Sequence, residues 1–338
     1  MLDITEQQIK SSWSENFTDI QVSICCITYN QESYITTAIE SFLMQKTNFP
    51  FEIVISDDCS TDNTSGIIAK FAEKYPSIIK VIANDHNLGA NDNFLNTFNH
   101  SSGEYLATCE GDDYWCDEYK LQKQFDAMSI NKNVMFSFHP CLLHRGQKVT
   151  NSASYNKGNV VAFYGVADVL QSLNQFAPTS SYMFSRQIVL MLPRWFSNAP
   201  VGDLFLELYG MRNHSGLYLP WVMSVYRLEA IGSWSSGTQR KNDVYIQRHL
   251  SLIEHLEIAS NDFPNARSAF SRKIAHIYLA LAVRAIKYDD VNMFRSYLDS
   301  ANKYHKYVSI KHVAFNFFKK IPQVIKYIIN IKNMVSSK

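Results

Sequence analysis

From Val22 to about Leu143 the chain alternates short apolar runs with longer amphipathic stretches, the pattern that a parallel α/β sheet with crossover helices produces. The runs Val22–Thr28 (VSICCIT), Phe51–Ser56 (FEIVIS), Ile78–Ala83 (IIKVIA) and Glu104–Cys109 predict strands. Between them, helical spacing covers Glu32–Met44, Asp62–Lys74 and Ala90–Phe98. A helix over Asp117–Ser129 and a strand over Val134–Leu143 close the periodic region, and Asn151–Asn159 reads as a polar loop. The elements then shorten to a helix over Val166–Leu173, a strand over Ser181–Ser185, a helix beginning near Asp203 and a strand over Met223–Tyr226. From about Gln239 the pattern is mainly helical, broken at Asn261–Asn265 and Lys287–Asp290. The expected organisation is an N-terminal extension over 1–20, an α/β domain over 21–238 and a helical region over 239–338 with a basic amphipathic end.

Composition narrows the class without naming a partner. Hydrophobic residues make up 46%, aromatics 13% and charged residues 19% of 338, which excludes an intrinsically disordered chain. With 32 Lys and Arg against 31 Asp and Glu, the net charge of +1 points to no nucleic acid, so charge has to be read locally. The six cysteines lack a CxxC pair or metal-ligand spacing, and fit reduced thiols of a cytoplasmic protein. The N-terminus lacks the basic and apolar regions of a secretory signal, and no apolar run approaches the roughly 20 residues of a spanning helix. The strongest local asymmetry lies in Ser300–Lys338, with eight lysines and no Asp or Glu. Interleaved with Phe315, Phe317, Phe318, Ile321, Ile325, Tyr327 and Ile328, it reads either as an interfacial helix for an anionic membrane surface or as a terminal core helix with a solvated lysine face.

Two acidic clusters follow strand ends, the edge where ligands bind in open α/β sheets. In Glu110–Trp115 (EGDDYW), Glu110, Asp112 and Asp113 crowd into four positions, and like charges this close raise one another's proton affinity unless a cation neutralises them. Oxygen ligands favour Mn²⁺ or Mg²⁺, ions that bridge one or two carboxylates to substrate phosphates. The plainer reading is an acidic turn capping the next helix. In Ser56–Thr64 (SDDCSTDNT), Asp62 or Thr61 can cap a helix, whereas Asp58 or Asp57 can accept the imide N–H of a uracil ring.

Together, Cys26–Glu32 (CITYNQE), Ser56–Thr64, Asn87–Asn93 (NLGANDN) and Glu110–Trp115 resemble the family-2 glycosyltransferases of GT-A fold, a likeness covering about Val22 to Trp234. It implies a Rossmann-like, mostly parallel sheet flanked by helices, and an inverting, metal-dependent transfer of a sugar from a UDP-sugar donor to an acceptor hydroxyl. On this resemblance Asp112 and Asp113 are the metal residues, and Glu110 lies near the donor ribose, departing from the commoner Asp. Thr28, Tyr29, Asn30 and Glu32 lie beneath the nucleotide, with Asp57 and Asp58 beside it. Asn87, Gly89 and Asn93 approach the ribose, Gly89 allowing close backbone approach.

Inversion needs a base that deprotonates the acceptor opposite the leaving diphosphate. Similar proteins carry a Gly-Asp pair at this distance, which singles out Asp203 in Pro200–Gly210 (PVGDLFLELYG), with Glu207 one turn on as second choice; the alternative for Asp203 is a helix N-cap. Pro178–Phe184 (PTSSYMF) and Tyr226–Gly237 resemble acceptor-side features. In the latter, Arg227 is a candidate phosphate clamp, Glu229 stands where relatives have His, and Trp234 either stacks on a sugar or packs. The expected enzyme is a peripheral protein at the inner membrane face, acting on a lipid-linked oligosaccharide in surface-polysaccharide assembly. The alternative is a catalytically silent nucleotide-sugar-binding scaffold.

Overall fold

The computed structural model describes residues 3–228, 230 and 242–321, which fall into two compact units. Met1–Val169 with Gln175–Arg240 form the first, and Leu170–Asn174 with Lys241–Lys338 the second.

The first unit opens with helix α1 (Glu6–Lys10), started by a reciprocal capping box between Thr5 and Gln8. Just beyond it, Trp13 meets Phe51 edge to face at 5.7 Å, which fastens the N-terminal segment to the core. Three βα repeats and a fourth strand follow: β1 (Val22–Thr28), α2 (Ile35–Leu43), β2 (Phe51–Asp57), α3 (Thr64–Lys74), β3 (Ile79–Ala83), α4 (Ala90–Asn99) and β4 (Tyr105–Thr108). Every residue of β1 is buried, the signature of a strand covered on both faces. Next come β5 (Tyr114–Trp115), α5 (Lys120–Ile130), β6 (Phe136–Phe138), β7 (Cys141–Arg145), β8 (Lys148–Val149) and β9 (Ala162–Tyr164). The unit closes with α6 (Val166–Gln171), β10 (Met183–Ser185), α7 (Gln187–Met191), α8 (Gly202–Gly210), β11 (Gly216–Tyr218) and β12 (Ser224–Leu228). Of α6, Leu170 and Gln171 already fall within the second unit.

The strands form an eight-stranded sheet, β3-β2-β1-β4-β10-β6-β11-β9, and a four-stranded sheet, β5-β12-β7-β8. Strands β3, β2, β1 and β4 run parallel, and the pairings Thr28↔Asp57↔Ala83 level their C-terminal ends. The loops carrying the two acidic clusters therefore open on one edge.

The structure corrects the element boundaries in two places. The expected strand over Val134–Leu143 is two strands in two sheets, broken at Pro140, which has no N–H for a ladder. The expected helix over Glu32–Met44 begins only at Ile35, because Asn30 adopts φ 53° and the segment after it bonds to the neighbouring loop.

The second unit contains helices α9 (Asn242–Ser260), α10 (Arg267–Lys287), α11 (Val291–Tyr304) and α12 (Ile310–Phe317). Its core joins Phe270, Ile274 and Leu281 of α10 to Phe294 and Leu298 of α11. No described helix is long and apolar enough to cross a membrane.

Candidate active site

The loop after β1 and the loop after β2 are locked together by hydrogen bonds. The Asn30 carboxamide oxygen accepts the Thr61 N–H at 2.7 Å, and the Glu32 carboxylate accepts the Asn63 N–H at 2.9 Å. In return Asp62 accepts the Glu32 N–H at 3.1 Å, and the Thr28 carbonyl accepts the Asp58 N–H at 2.9 Å. Asp62 also accepts the Thr64 N–H at 3.0 Å, but it stands one residue before the N-cap of α3, which is Asn63 and not Asp62 or Thr61.

Asp57 and Asp58 are both buried, and each uses both carboxylate oxygens within the protein. Asp57 accepts from Ser60 and Ser65 inside its own loop. Asp58 reaches the next loop, accepting the Leu88 N–H at 2.8 Å and the Gly89 N–H at 3.0 Å. Gly89 has φ 82° with nothing near the place a Cβ would take, so the residue is required by its backbone conformation and not by close approach. Asn87 donates to the Asp58 carbonyl at 3.3 Å, while Asn93 is buried and donates to the Ser56 carbonyl at 3.2 Å. Tyr29, at the end of β1, remains exposed.

The turn after β4 is pressed against β1. The Gly111 N–H donates to the Ile27 carbonyl at 3.0 Å, and a Cβ on Gly111 would stand 2.5 Å from the Gln31 side-chain oxygen and 2.8 Å from the Thr28 hydroxyl. No side chain fits there. Trp115 anchors the other end: its N–H groups donate to Ser41 Oγ at 3.0 Å and the Ser180 carbonyl at 2.9 Å, and its ring meets Phe42 at 5.0 Å.

Lys120 Nζ lies 4.0 Å from the Trp115 ring centroid, fully buried and without a hydrogen-bond partner among the described residues. Burial pushes this amine down to about 7. The folded protein therefore binds fewer protons here than the unfolded chain between pH 7 and the ordinary lysine value, and its stability rises with pH across that window. Lys120→Met should raise Tm at pH 7 by about 2–4 °C, roughly 1 kcal/mol in a domain of this size, with the gain shrinking toward pH 10. Thermal denaturation of both proteins across that range checks this, and a constant difference would refute it.

The four-stranded sheet brings Arg227 to the acidic turn. Ser224 and Val225 pair antiparallel with Trp115 and Tyr114, and continuing that register sets Arg227 opposite Asp112. Accordingly, the Arg227 guanidinium donates to the Asp112 carbonyl at 2.6 Å, and the Arg227 N–H donates to Asp113 at 2.8 Å. Two rings flank the guanidinium, Tyr114 at 4.7 Å and Tyr34 at 5.1 Å, which hold its plane in place.

All three carboxyls resist ionisation. Burial raises Glu110 most, and Asp112 and Asp203 add to it, pushing it up to about 8. Burial raises Asp112 against the opposing pull of Arg227, and raises Asp113 well above its ordinary value with help from Asp112 and Glu110. Asp113 is fully buried, and its Oδ2 has no hydrogen-bond partner among the described residues, since the nearby Ser180 hydroxyl turns to Ser224 at 3.2 Å. Repelling carboxyls and an unpartnered buried oxygen fit a divalent cation. No preformed group of three or more His, Cys, Asp or Glu for a metal occurs among the described residues. Two carboxylates completed by substrate phosphates and water suit Mg²⁺ or Mn²⁺.

Asp203 lies in the first turn of α8, where Val201 and not Asp203 is the N-cap. Its carboxylate accepts the Leu204 N–H at 2.8 Å, and its charge is felt by Glu110 across the site. Glu207 is different: it is buried and accepts from the Tyr182 hydroxyl at 2.6 Å and the Ala177 N–H at 3.1 Å. Ser180, Ser181, Tyr182, Met183 and Phe184 are likewise fully buried, which makes most of Pro178–Phe184 scaffold beneath the acidic turn and corrects its reading as an acceptor surface. Glu229 and Trp234 lie outside the described residues.

Three aromatic residues at the site escape sequence reasoning. Tyr34 flanks Arg227, while Tyr226 and Tyr155 have hydroxyls raised by burial and by site carboxylates, Glu110 and Asp113 for Tyr226, Asp203 and Asp113 for Tyr155. For Tyr226 the only sequence signal is its place beside Arg227.

The fold is that of GT-A glycosyltransferases, as the solved structures it resembles show. Staphylococcus aureus TarS 1–349, solved in complex with UDP-GlcNAc, superposes with a TM-score of 0.52 at 16% identity over 85% of this chain and 93% of that one. The mannosyltransferase PcManGT of Pyrobaculum calidifontis, solved with GDP-Man and Mn²⁺, gives 0.53 at 17% over 94% and 88%. At these identities the likeness is one of fold. A profile described as Glycosyl transferase family 2 matches residues 23–190. An uncharacterized protein of Mycobacterium tuberculosis is 35% identical over 242 residues, 70% of this chain and 67% of its own length. The chain belongs to glycosyl transferase family 2. Its named relatives include the dTDP-rhamnosyl transferase RfbG of Shigella flexneri, 28% identical over 51% of this chain and 57% of that protein. Another is the UDP-Glc:α-D-GlcNAc-diphosphoundecaprenol β-1,3-glucosyltransferase WfgD of Escherichia coli, 32% identical over 36% and 45%.

Proposed function

We propose that the protein is an inverting, metal-dependent glycosyltransferase that moves a sugar from a UDP-sugar to a hydroxyl of a lipid-linked oligosaccharide in surface-polysaccharide assembly. The observation that carries this reading is that Arg227 is bonded to the acidic turn of Glu110 and Asp112 while Asp203 lies near enough for its charge to act on Glu110. In the proposed reaction the Asp203 carboxylate takes the acceptor hydroxyl proton as that oxygen bonds to the anomeric carbon. The bond from that carbon to the diphosphate breaks on the opposite face, and UDP leaves with the electron pair. Asp112 and Asp113 would hold Mn²⁺ or Mg²⁺, which when bound neutralises the leaving diphosphate, and the Arg227 guanidinium supports the same charge. Tyr29 offers an exposed ring to the base. Asp58, with one donor on Oδ2, keeps a lone pair for the uracil imide, whereas Asp57 serves its own loop. Complexes of TarS with UDP and UDP-GlcNAc favour a UDP donor, and the name of WfgD favours a lipid diphosphate acceptor.

The test is the thermal shift of the purified protein with UDP, GDP or dTDP, each with and without Mn²⁺. Ligand at about 100 times its Kd adds about 2.7 kcal/mol to the folded state, so UDP with Mn²⁺ should raise Tm measurably and UDP alone should not. An equal shift with all three nucleotides, or none with any, would remove the UDP assignment.

Membrane contact is part of the same proposal. Helix α12 buries His312 and Phe315 but exposes Ile310, Val313 and Phe317, with Lys311, Lys319 and Lys320 close by in sequence. An apolar face edged with lysines suits an anionic lipid surface. Ile310→Asp with Phe317→Asp, both at exposed positions, should abolish co-sedimentation with phosphatidylglycerol vesicles without lowering Tm; retained sedimentation would exclude this face.

A further inference from the structure

Asn91 sits in the first turn of α4, and its side chain reaches the segment before α8. Its amide Nδ2 donates to the carbonyls of Ala199 at 2.7 Å, Phe196 at 3.1 Å and Ser197 at 3.4 Å, more than a hundred residues along the chain. Those carbonyls belong to the segment leading into α8, where Phe196 and Ala199 are themselves buried. The other end of the same carboxamide lies against the first residue of that helix. A Cβ on Gly202 would stand 2.2 Å from Asn91 Oδ1, so α8 starts in contact with Asn91 only because residue 202 has no side chain. The next residue is Asp203.

The start of α4 is held in turn. Asp58 accepts the N–H groups of Leu88 and Gly89, and the Asn93 N–H returns to the Gly89 carbonyl at 2.9 Å. One hydrogen-bonded path thus runs from the end of β2, through the loop before α4, to the entry of α8. We infer that Asn91 is the positioning residue that sets Asp203 against the donor side of the site. This rests on the reading of Asp203 as the base. A carboxamide suits the task because its two N–H groups can bind the carbonyls of the turn over Arg194–Asn198 and of Ala199 that precede α8, and a displacement of about 1 Å at a reacting group can cost 10²-fold in rate.

The experiment uses the full chain and four variants: Asn91→Ala, Gly202→Ala, the double substitution, and Asp203→Asn. Hydrogen exchange followed by mass spectrometry should show at least tenfold faster exchange in peptides spanning residues 194–206 for Asn91→Ala, with peptides of β1 and β2 unchanged. UDP release from UDP-glucose and UDP-GlcNAc by transfer to water supplies the kinetic readout. Asn91→Ala and Gly202→Ala should each lower kcat about 10–100-fold while the donor KM moves less than about twofold. The double variant should be no slower than Asn91→Ala alone, because the shortened side chain leaves room for the new methyl group. Unchanged exchange over 194–206, a donor KM that rises with kcat unaltered, or multiplicative losses in the double variant would each overturn the inference. Slow release in Asp203→Asn with normal release in Asn91→Ala would overturn it while leaving the base assignment intact. Fast release in Asp203→Asn would instead remove the base, and with it this role for Asn91.

Discussion

Asp112→Asn is expected to lower the rate of sugar transfer by about 10³-fold and to remove the dependence of UDP binding on Mn²⁺, while raising the Tm of the ligand-free protein. The first two effects follow from the chemistry of the proposed ligand. A metal that neutralises a leaving diphosphate supplies several kcal/mol in the transition state, and each 1.4 kcal/mol is a factor of ten. The third follows from the site itself. Burial raises all three carboxyls and Asp112 adds to Glu110 and Asp113, so in the ligand-free fold a charge on Asp112 is desolvated and opposed by its neighbours until protons or a cation relieve it. Removing one charge with an isosteric amide relaxes the repulsion without creating a cavity, and the Asp112 carbonyl still accepts from Arg227. Gain of stability with loss of activity is the mark of a site built for a ligand. A variant that loses activity and Tm together would show Asp112 to be structural, and one that keeps Mn²⁺-dependent UDP binding would show that another group holds the metal.

The strands that form this edge were legible because they are buried on both faces. Val22–Thr28 and Phe51–Asp57 are predominantly apolar, β-branched-rich runs, broken only by short polar residues and Glu52, and buried nearly throughout. Strands β5, β8, β9 and β11 span two or three residues each, too short for an alternation to repeat, and are defined only by their partners. Pro140 carried a readable break, but the apolar residues on both sides outweighed it.

The site divides along the same line. Glu110, Asp112 and Asp113 were visible because clustered carboxylates need a physical reason wherever they fall. The carboxamide and hydroxyl groups in the neighbouring loops were not separable by type. Asn30 and Glu32 hold loop to loop, Asp57 bonds within its own segment and Asn93 ties α4 to β2, and nothing in a sequence distinguishes an asparagine that bonds a neighbouring backbone from one that bonds a nucleotide. Arg227 was recognisable by type, but its pairing with Tyr34 and Tyr114 depends on a β5–β12 register that exists only in three dimensions.

The two carboxylates of α8 allow the sharpest separation of function from framework. Asp203→Asn is expected to lower kcat by 10²- to 10⁴-fold, the usual range for loss of a general base, with UDP affinity and Tm unchanged. The amide oxygen can still accept the Leu204 N–H, so the helix start is preserved, while a carboxamide cannot take a proton. The acid limb of the pH–rate profile should disappear with the carboxyl. Glu207→Gln, one turn further on, should behave in the opposite way. Glu207 accepts from Tyr182 and Ala177 in a buried setting, and an amide accepts less strongly and brings two N–H groups into a space arranged for an acceptor. Its Tm should fall by about 2–4 °C per kcal/mol of lost hydrogen bonding, with kcat of the remaining folded protein within a fewfold of the parent. Steady-state kinetics and thermal denaturation of the pair decide the matter. If the stable variant is also the active one, Asp203 is a first-turn helix residue and the proton goes elsewhere. If Glu207→Gln folds normally and is inactive, the base lies one turn along the helix.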